Sequence, residues 1–126
     1  MKPTQKVLEE VYAERVRQHA KWGEQNLPDV SSEYGLTCTS PKRAEDIARR
    51  MGVASAREAQ QQCNFHMRRK TVAFADIALE EFAESIEAAA LGEEANLRKE
   101  LLQTAAVLVQ WIECIDRRKG DKTLHE

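Results

Sequence analysis

A chain of 126 residues has room for one domain with one core and not for two. Its residues are 42% hydrophobic and 32% charged, with only five glycines and three prolines, which favours long amphipathic helices over a many-turned β fold. The formal net charge of −2 gives no overall basic field to recruit nucleic acid or an anionic membrane, so neither is an expected partner.

The first six residues lack the apolar stretch of a signal peptide, and no apolar run approaches membrane-spanning length. Cys38, Cys63 and Cys114 are odd in number and share no ligand-like spacing, so they read as reduced thiols. A cytoplasmic location is expected.

In chain order, residues 4–22 are predicted as a helix with Thr4 as N-cap. Residues 23–41 read as loop, since they hold Pro28, Gly35 and the turn-rich run Asp29-Val30-Ser31-Ser32. Ser40-Pro41 has the cap-then-proline order that opens a helix, which is expected to break near Gly52 and resume from Ser55. A third helical pattern covers 74–91 and stops at Gly92, and the last covers 94–119 and stops at Gly120. Four or five helices with short connections suggest an all-α, bundle-like single domain over residues 1–126.

What interrupts the apolar stripes carries the chemistry. On the third pattern, Leu79, Phe82, Ile86 and Ala90 form one apolar face. A second seam runs Ile77, Glu81, Glu84, Ala88, Leu91, with carboxylates at its two central positions. On the final helix, Leu97, Leu101, Leu108, Trp111 and Ile115 make an apolar seam beside Glu100, Gln103, Val107, Gln110 and Cys114. Carboxylates in a seam are costly unless compensated. A divalent cation such as Mg²⁺, which takes hard oxygen ligands, resolves the cost. Residues three apart on a helix point the same way, so two facing helices can each present two oxygens. More seams than one small subunit can cover point to an assembly. On the first helix, Arg15, Gln18 and Trp22 share one face, where a cation, an amide and an indole suit a phosphate and a base.

Glu80-Glu81-Phe82-Ala83-Glu84 followed by Glu100-Leu101-Leu102-Gln103 resembles the MazG-like all-α nucleoside triphosphate pyrophosphohydrolases, which carry E-E-x-x-E and then E-x-x-D. A narrower likeness is to small phage and actinobacterial members. It begins with Arg15, Gln18 and the run Lys21-Trp22-Gly23-Glu24-Gln25-Asn26, then Pro28-Asp29. It ends with Leu97-Arg98-Lys99-Glu100-Leu101-Leu102-Gln103, Trp111-Ile112-Glu113 and Asp116-Arg117-Arg118. The likeness spans residues 14–118 and is loose over 31–62. Gln103 stands where the superfamily has Asp, and Leu27 where the pattern carries His.

The resemblance implies a MazG-type fold, packing as a homodimer or homotetramer. It implies Mg²⁺, with Mn²⁺ as a substitute, at Glu81, Glu84, Glu100 and the Gln103 position. Glu80 would support the site or the attacking water. The implied reaction cleaves a (deoxy)nucleoside triphosphate to monophosphate and pyrophosphate in nucleotide-pool control. Arg15 and Lys21 would then meet the phosphates, and Trp22 with Gln18 or Gln25 the sugar and base.

Two other readings compete. Residues 44–53 resemble the first helix and turn of a helix-turn-helix DNA-binding regulator, although Glu58 and Gln61 stand where its second helix needs apolar residues. A catalytically degraded nucleotide-binding or interaction protein is the third. His19, His66 and His125 read as packing or surface residues, and the basic cluster at 65–70 as a solvated face.

Overall fold

The computed structural model describes residues 2–35 and 39–125, with side chains up to residue 120. Cys38 and the side chain of His125 lie outside the described part. The protein is all-α: α1 (Pro3–Trp22), a 3₁₀ turn (Ser32–Tyr34), α2 (Pro41–Arg50), α3 (Ala56–Arg68), α4 (Phe74–Leu91) and α5 (Glu94–His125). No strand occurs among the described residues. No helix among them is long and apolar enough to cross a membrane.

The chain groups into two compact units. One joins Met1–Leu27 with Leu108–Glu126, and the other is Pro28–Val107. In the first, α1 begins one residue earlier than expected, because Pro3 fixes φ at the first helical position. Thr4 is therefore not the N-cap. Lys2 holds that position without a side-chain hydrogen bond, and the Thr4 hydroxyl donates to Glu113 Oε1 at 2.8 Å. Gly120 does not end α5, which runs on to His125. A lone helical glycine costs about 1 kcal/mol relative to alanine, and no proline follows to force a stop.

The second unit is built around α4. Ser40 Oγ accepts from the Arg43 N–H and Pro41 follows, so α2 starts where the cap signal lies. Ser55 Oγ likewise accepts from the Glu58 N–H and opens α3. Its first N–H, that of Ala56, donates to the Glu87 carboxylate of α4, which ties the two helices together. Both α2 and α3 approach α4 closely and make no comparable approach to each other. That is not the packing of a helix-turn-helix, whose two helices lie directly on one another.

The close approach follows from small residues: Ala44, Ala48, Ala59, Ala83, Ala88, Ala89 and Ala90 are all buried. The expected apolar face of α4 is only partly internal. Phe82 is 42% exposed, and Leu79 and Ile86 are half-buried, since a face of alanines leaves no room for larger groups. On α5, Leu101, Leu108 and Ile115 of the expected apolar seam are also exposed.

Inserting bulk into the alanine contact tests this arrangement. Ala48→Leu is expected to lower the unfolding free energy by about 1–3 kcal/mol in urea titration, because the helices cannot move apart freely. An unchanged midpoint would mean that α2 does not lie against α4.

Candidate metal centre

The site forms at a helical hairpin. α4 ends at Gly92, whose φ of 71° is the left-handed conformation glycine favours. The Gly92 N–H donates to Ala89 O and the Glu93 N–H to Ala88 O, both at 3.1 Å, closing α4 with a Schellman turn. α5 starts at once with Glu94. In so short a hairpin, residues equidistant from the turn face each other. Glu84 and Glu100 are such a pair, and Glu81 and Gln103 are another.

Carboxylate oxygens of Glu81, Glu84 and Glu100 all lie within 4.8 Å of one another, each residue half-buried. Beneath them, Ser85 and Thr104 are buried, each four residues beyond a glutamate of the site. Ser85 Oγ donates back to Glu81 O at 3.1 Å and Thr104 Oγ1 to Glu100 O at 2.9 Å. The two hydroxyl oxygens are 3.2 Å apart, so either hydroxyl can turn its proton from its own helix's carbonyl to the oxygen on the other helix. Sequence reasoning did not single out Ser85 and Thr104. The signal available was a small hydroxyl residue one turn beyond Glu81 and another one turn beyond Glu100.

Gln103 joins the group through its side-chain amide. With its amide oriented to satisfy its neighbours, the nitrogen lies 3.0 Å from Glu100 Oε2 and 3.3 Å from Glu81 Oε2. It donates to both carboxylates and so offsets part of their repulsion. Glu80 is not part of the trio. The Cys63 thiol of α3 donates to its carboxylate, and this bond, after burial itself, raises the thiol pKa.

Electrostatics follow from crowding. Burial pushes Glu84 up to about 7, helped by its hydrogen bond to Glu100 and by repulsion from Glu100, Glu81 and Glu80. Glu81 is also raised, chiefly by burial and then by Glu100 and Glu80. None of the ion pairs among the described residues reaches Glu81, Glu84 or Glu100. Three hard oxygen donors on facing helices, with no cation of their own, fit the donor set of Mg²⁺ or Mn²⁺.

The remaining predicted residues belong to the first unit. Arg15 Nη1 donates to Gln18 Oε1 at 2.9 Å, so the two form a linked pair on α1. Lys21 Nζ sits 4.6 Å from the ring centroid of Trp22, which is 56% exposed. Gln25 is exposed beyond the end of α1. Cys63 and Cys114 are free thiols, the first buried and the second half-buried. His66 is half-buried, and its Nδ1 lies 2.8 Å from Asp76 Oδ1.

No family model, curated protein or solved structure matches this chain.

The raised Glu84 makes metal-free stability depend on pH. Glu84 titrates near 4.5 when unfolded and near 7 when folded, so the folded state binds the extra proton between these values. Its contribution is fully present below about 4.5 and is lost as pH rises through 7. In chelator, the unfolding midpoint is expected to fall across that window. Glu84→Gln should flatten the fall, and an equally steep profile in that variant would place the titration elsewhere.

Proposed function

We propose that this chain is a Mg²⁺-dependent nucleoside triphosphate pyrophosphohydrolase of the MazG-like kind, with a four-helix-bundle-like core, acting in nucleotide-pool control. The observation that carries the reading is the convergence of Glu81, Glu84 and Glu100 on one half-buried point. A cation held there would neutralise the phosphates and acidify the attacking water.

The chain's own residues do the rest. Glu81, Glu84 and Glu100 hold the ion with Mn²⁺ as a substitute, and Glu84 must give up its proton to do so. A half-turn of the Gln103 amide exchanges its nitrogen for an oxygen, so the same side chain can offset charge without the ion and ligate it when bound. Glu80, beside the trio on α4, supports the site and the water. Arg15 and Lys21 take the phosphates. Trp22 stacks on the base, with Gln18 and Gln25 meeting sugar or base edges. Little covalent chemistry is asked of the protein, which supplies position and charge.

Self-association is part of the proposal. Leu8, Val11, Tyr12 and Val16 on α1 are exposed, as are Leu108, Ile112 and Ile115 on α5. Apolar residues in that number fit contact with a second copy as dimer or tetramer.

A pyrophosphate-release screen over the eight common nucleoside triphosphates tests the reading. Turnover is expected with Mg²⁺ and none in excess chelator, and Glu81→Ala or Glu84→Ala should fall below detection while the fold persists. Hydrolysis that survives in either variant would sink the assignment. Nucleotide binding without turnover would make the protein a binding module instead. Calorimetry of Mg²⁺ separates the role of Gln103: Gln103→Leu should weaken affinity by about 10- to 100-fold, and Gln103→Asp should tighten it. Equal affinities in all three proteins would make Gln103 a bystander.

A further inference from the structure

The chain's acidity is unevenly distributed. Residues 41–70, which contain α2 and α3, carry eight Lys and Arg against three Asp and Glu, a net +5 in a chain of net −2. All three acids of this segment are already engaged. Arg49 pairs with Glu58 at 2.6 Å, Asp46 at 3.1 Å and Glu45 at 3.7 Å, and Arg57 reaches Glu45 at 3.5 Å. Among the described residues, Lys42, Arg43, Arg50, Arg68, Arg69 and Lys70 have no carboxylate partner.

α3 turns one narrow face to α4 through buried Ala59 and Cys63. The helical repeat of 100° per residue puts Arg57, Gln61, Asn64 and Arg68 in a single stripe on the opposite side. All four are exposed. Gln61, Asn64 and Arg68 make no side-chain hydrogen bond or ion pair among the described residues, whereas neighbouring Gln62 is committed to Asp76. These are the side chains whose paired donors and acceptors match base edges, arginine for guanine and Asn or Gln for adenine. At 13 residues, α3 is about 20 Å long and about 10–12 Å across, which suits a major groove about 12 Å wide.

We propose that α3 is a DNA-contacting helix, with Arg57, Gln61, Asn64 and Arg68 reading base edges in the major groove of a B-form duplex. Arg69, which stacks over the Phe65 ring, and Lys70 at the end of α3 have no carboxylate partner and, with Arg43 and Arg50 of α2, hold backbone phosphates. This is not helix-turn-helix docking, because α3 packs closely on α4 and meets α2 through the ion pairs Arg49–Glu58 and Arg57–Glu45. The polar Glu58 and Gln61, unsuited to a helix-turn-helix core, face water here. A-form RNA is disfavoured, since its deep, narrow major groove does not admit a helix. None of the metal-site residues is used, so this inference stands or falls apart from the hydrolysis reading.

The test uses the full chain and a fluorescein-labelled 24-base-pair DNA duplex, read by anisotropy. Saturable binding is expected at 50 mM salt, weakening roughly 500-fold by 200 mM if about five phosphates are contacted at a slope of about −0.9 each. Arg68→Ala with Arg57→Ala should weaken binding and shallow that slope. Gln61→Ala with Asn64→Ala keeps the charge, so the salt slope should persist while base preference in a selection from randomised duplexes is lost. All four sites are exposed, and unchanged circular dichroism and melting would confirm folded variants. No binding at 50 mM salt overturns the proposal, as does equal affinity for duplex RNA. Base preference unchanged in the Gln61/Asn64 variant overturns it too.

Discussion

Three carboxylates of α4 and α5 stand within 4.8 Å of one another, and no lysine or arginine of the described residues pairs with them. Like charges at such range in a half-buried setting repel strongly, because the local dielectric is lower than that of water. Much of the second unit can be understood as containment of that repulsion. Below about pH 7 a proton on Glu84 removes one charge, and the Gln103 amide donates to the other two carboxylates. The Ser85 and Thr104 hydroxyls, 3.2 Å apart, give the two helices a polar contact beside the carboxylates. A divalent ion would supersede the first two devices at once while leaving the third in place.

Holding α4 rigid requires support from its other sides. Alanines provide it, by letting α2 and α3 come close enough for Glu87 to cap the first turn of α3 directly. The same economy of volume moves the larger apolar side chains outward. Phe82, Leu101 and Leu102 face solvent, as do many of the large apolar residues of α1. Within the second unit, buried alanines of α2, α3 and α4 form a small-residue core beside the acidic hairpin.

Helix boundaries were legible wherever the signal was a local cap. Ser40-Pro41, Ser55 and Gly92 all act where the sequence places them, because a hydroxyl, a fixed φ or a left-handed residue works without help from distant parts of the chain. Thr4 and Gly120 misled for the complementary reason: Pro3 overrode the cap, and one glycine is a cost rather than a stop. The carboxylate seam was legible because charges at seam positions break a periodic pattern. Which face of α4 is inside was not, since hydrophobicity favours Phe82 while close packing favours alanine. Nor could spacing reveal the direction of the Gln103 amide, which depends on where two carboxylates from different helices put their lone pairs. That Glu80, a neighbour of the trio along α4, also takes the hydrogen bond of the Cys63 thiol is visible only in three dimensions.

The two-residue link at Gly92 and Glu93 is, finally, a ruler. Because α4 closes on Ala88 and Ala89 and α5 begins immediately, the rotation of α5 about its axis is set by the number of residues in that link. A single insertion would rotate α5 by about 100° relative to its present phase. Lys99 would then come round toward Glu84 in place of Glu100, while the composition of both helices stayed the same. Length variation is therefore intolerable at this link, although it is a surface connection. Among descendants of this chain, the spacing between Glu84 and Glu100 should resist change more firmly than many of the side chains lying between them.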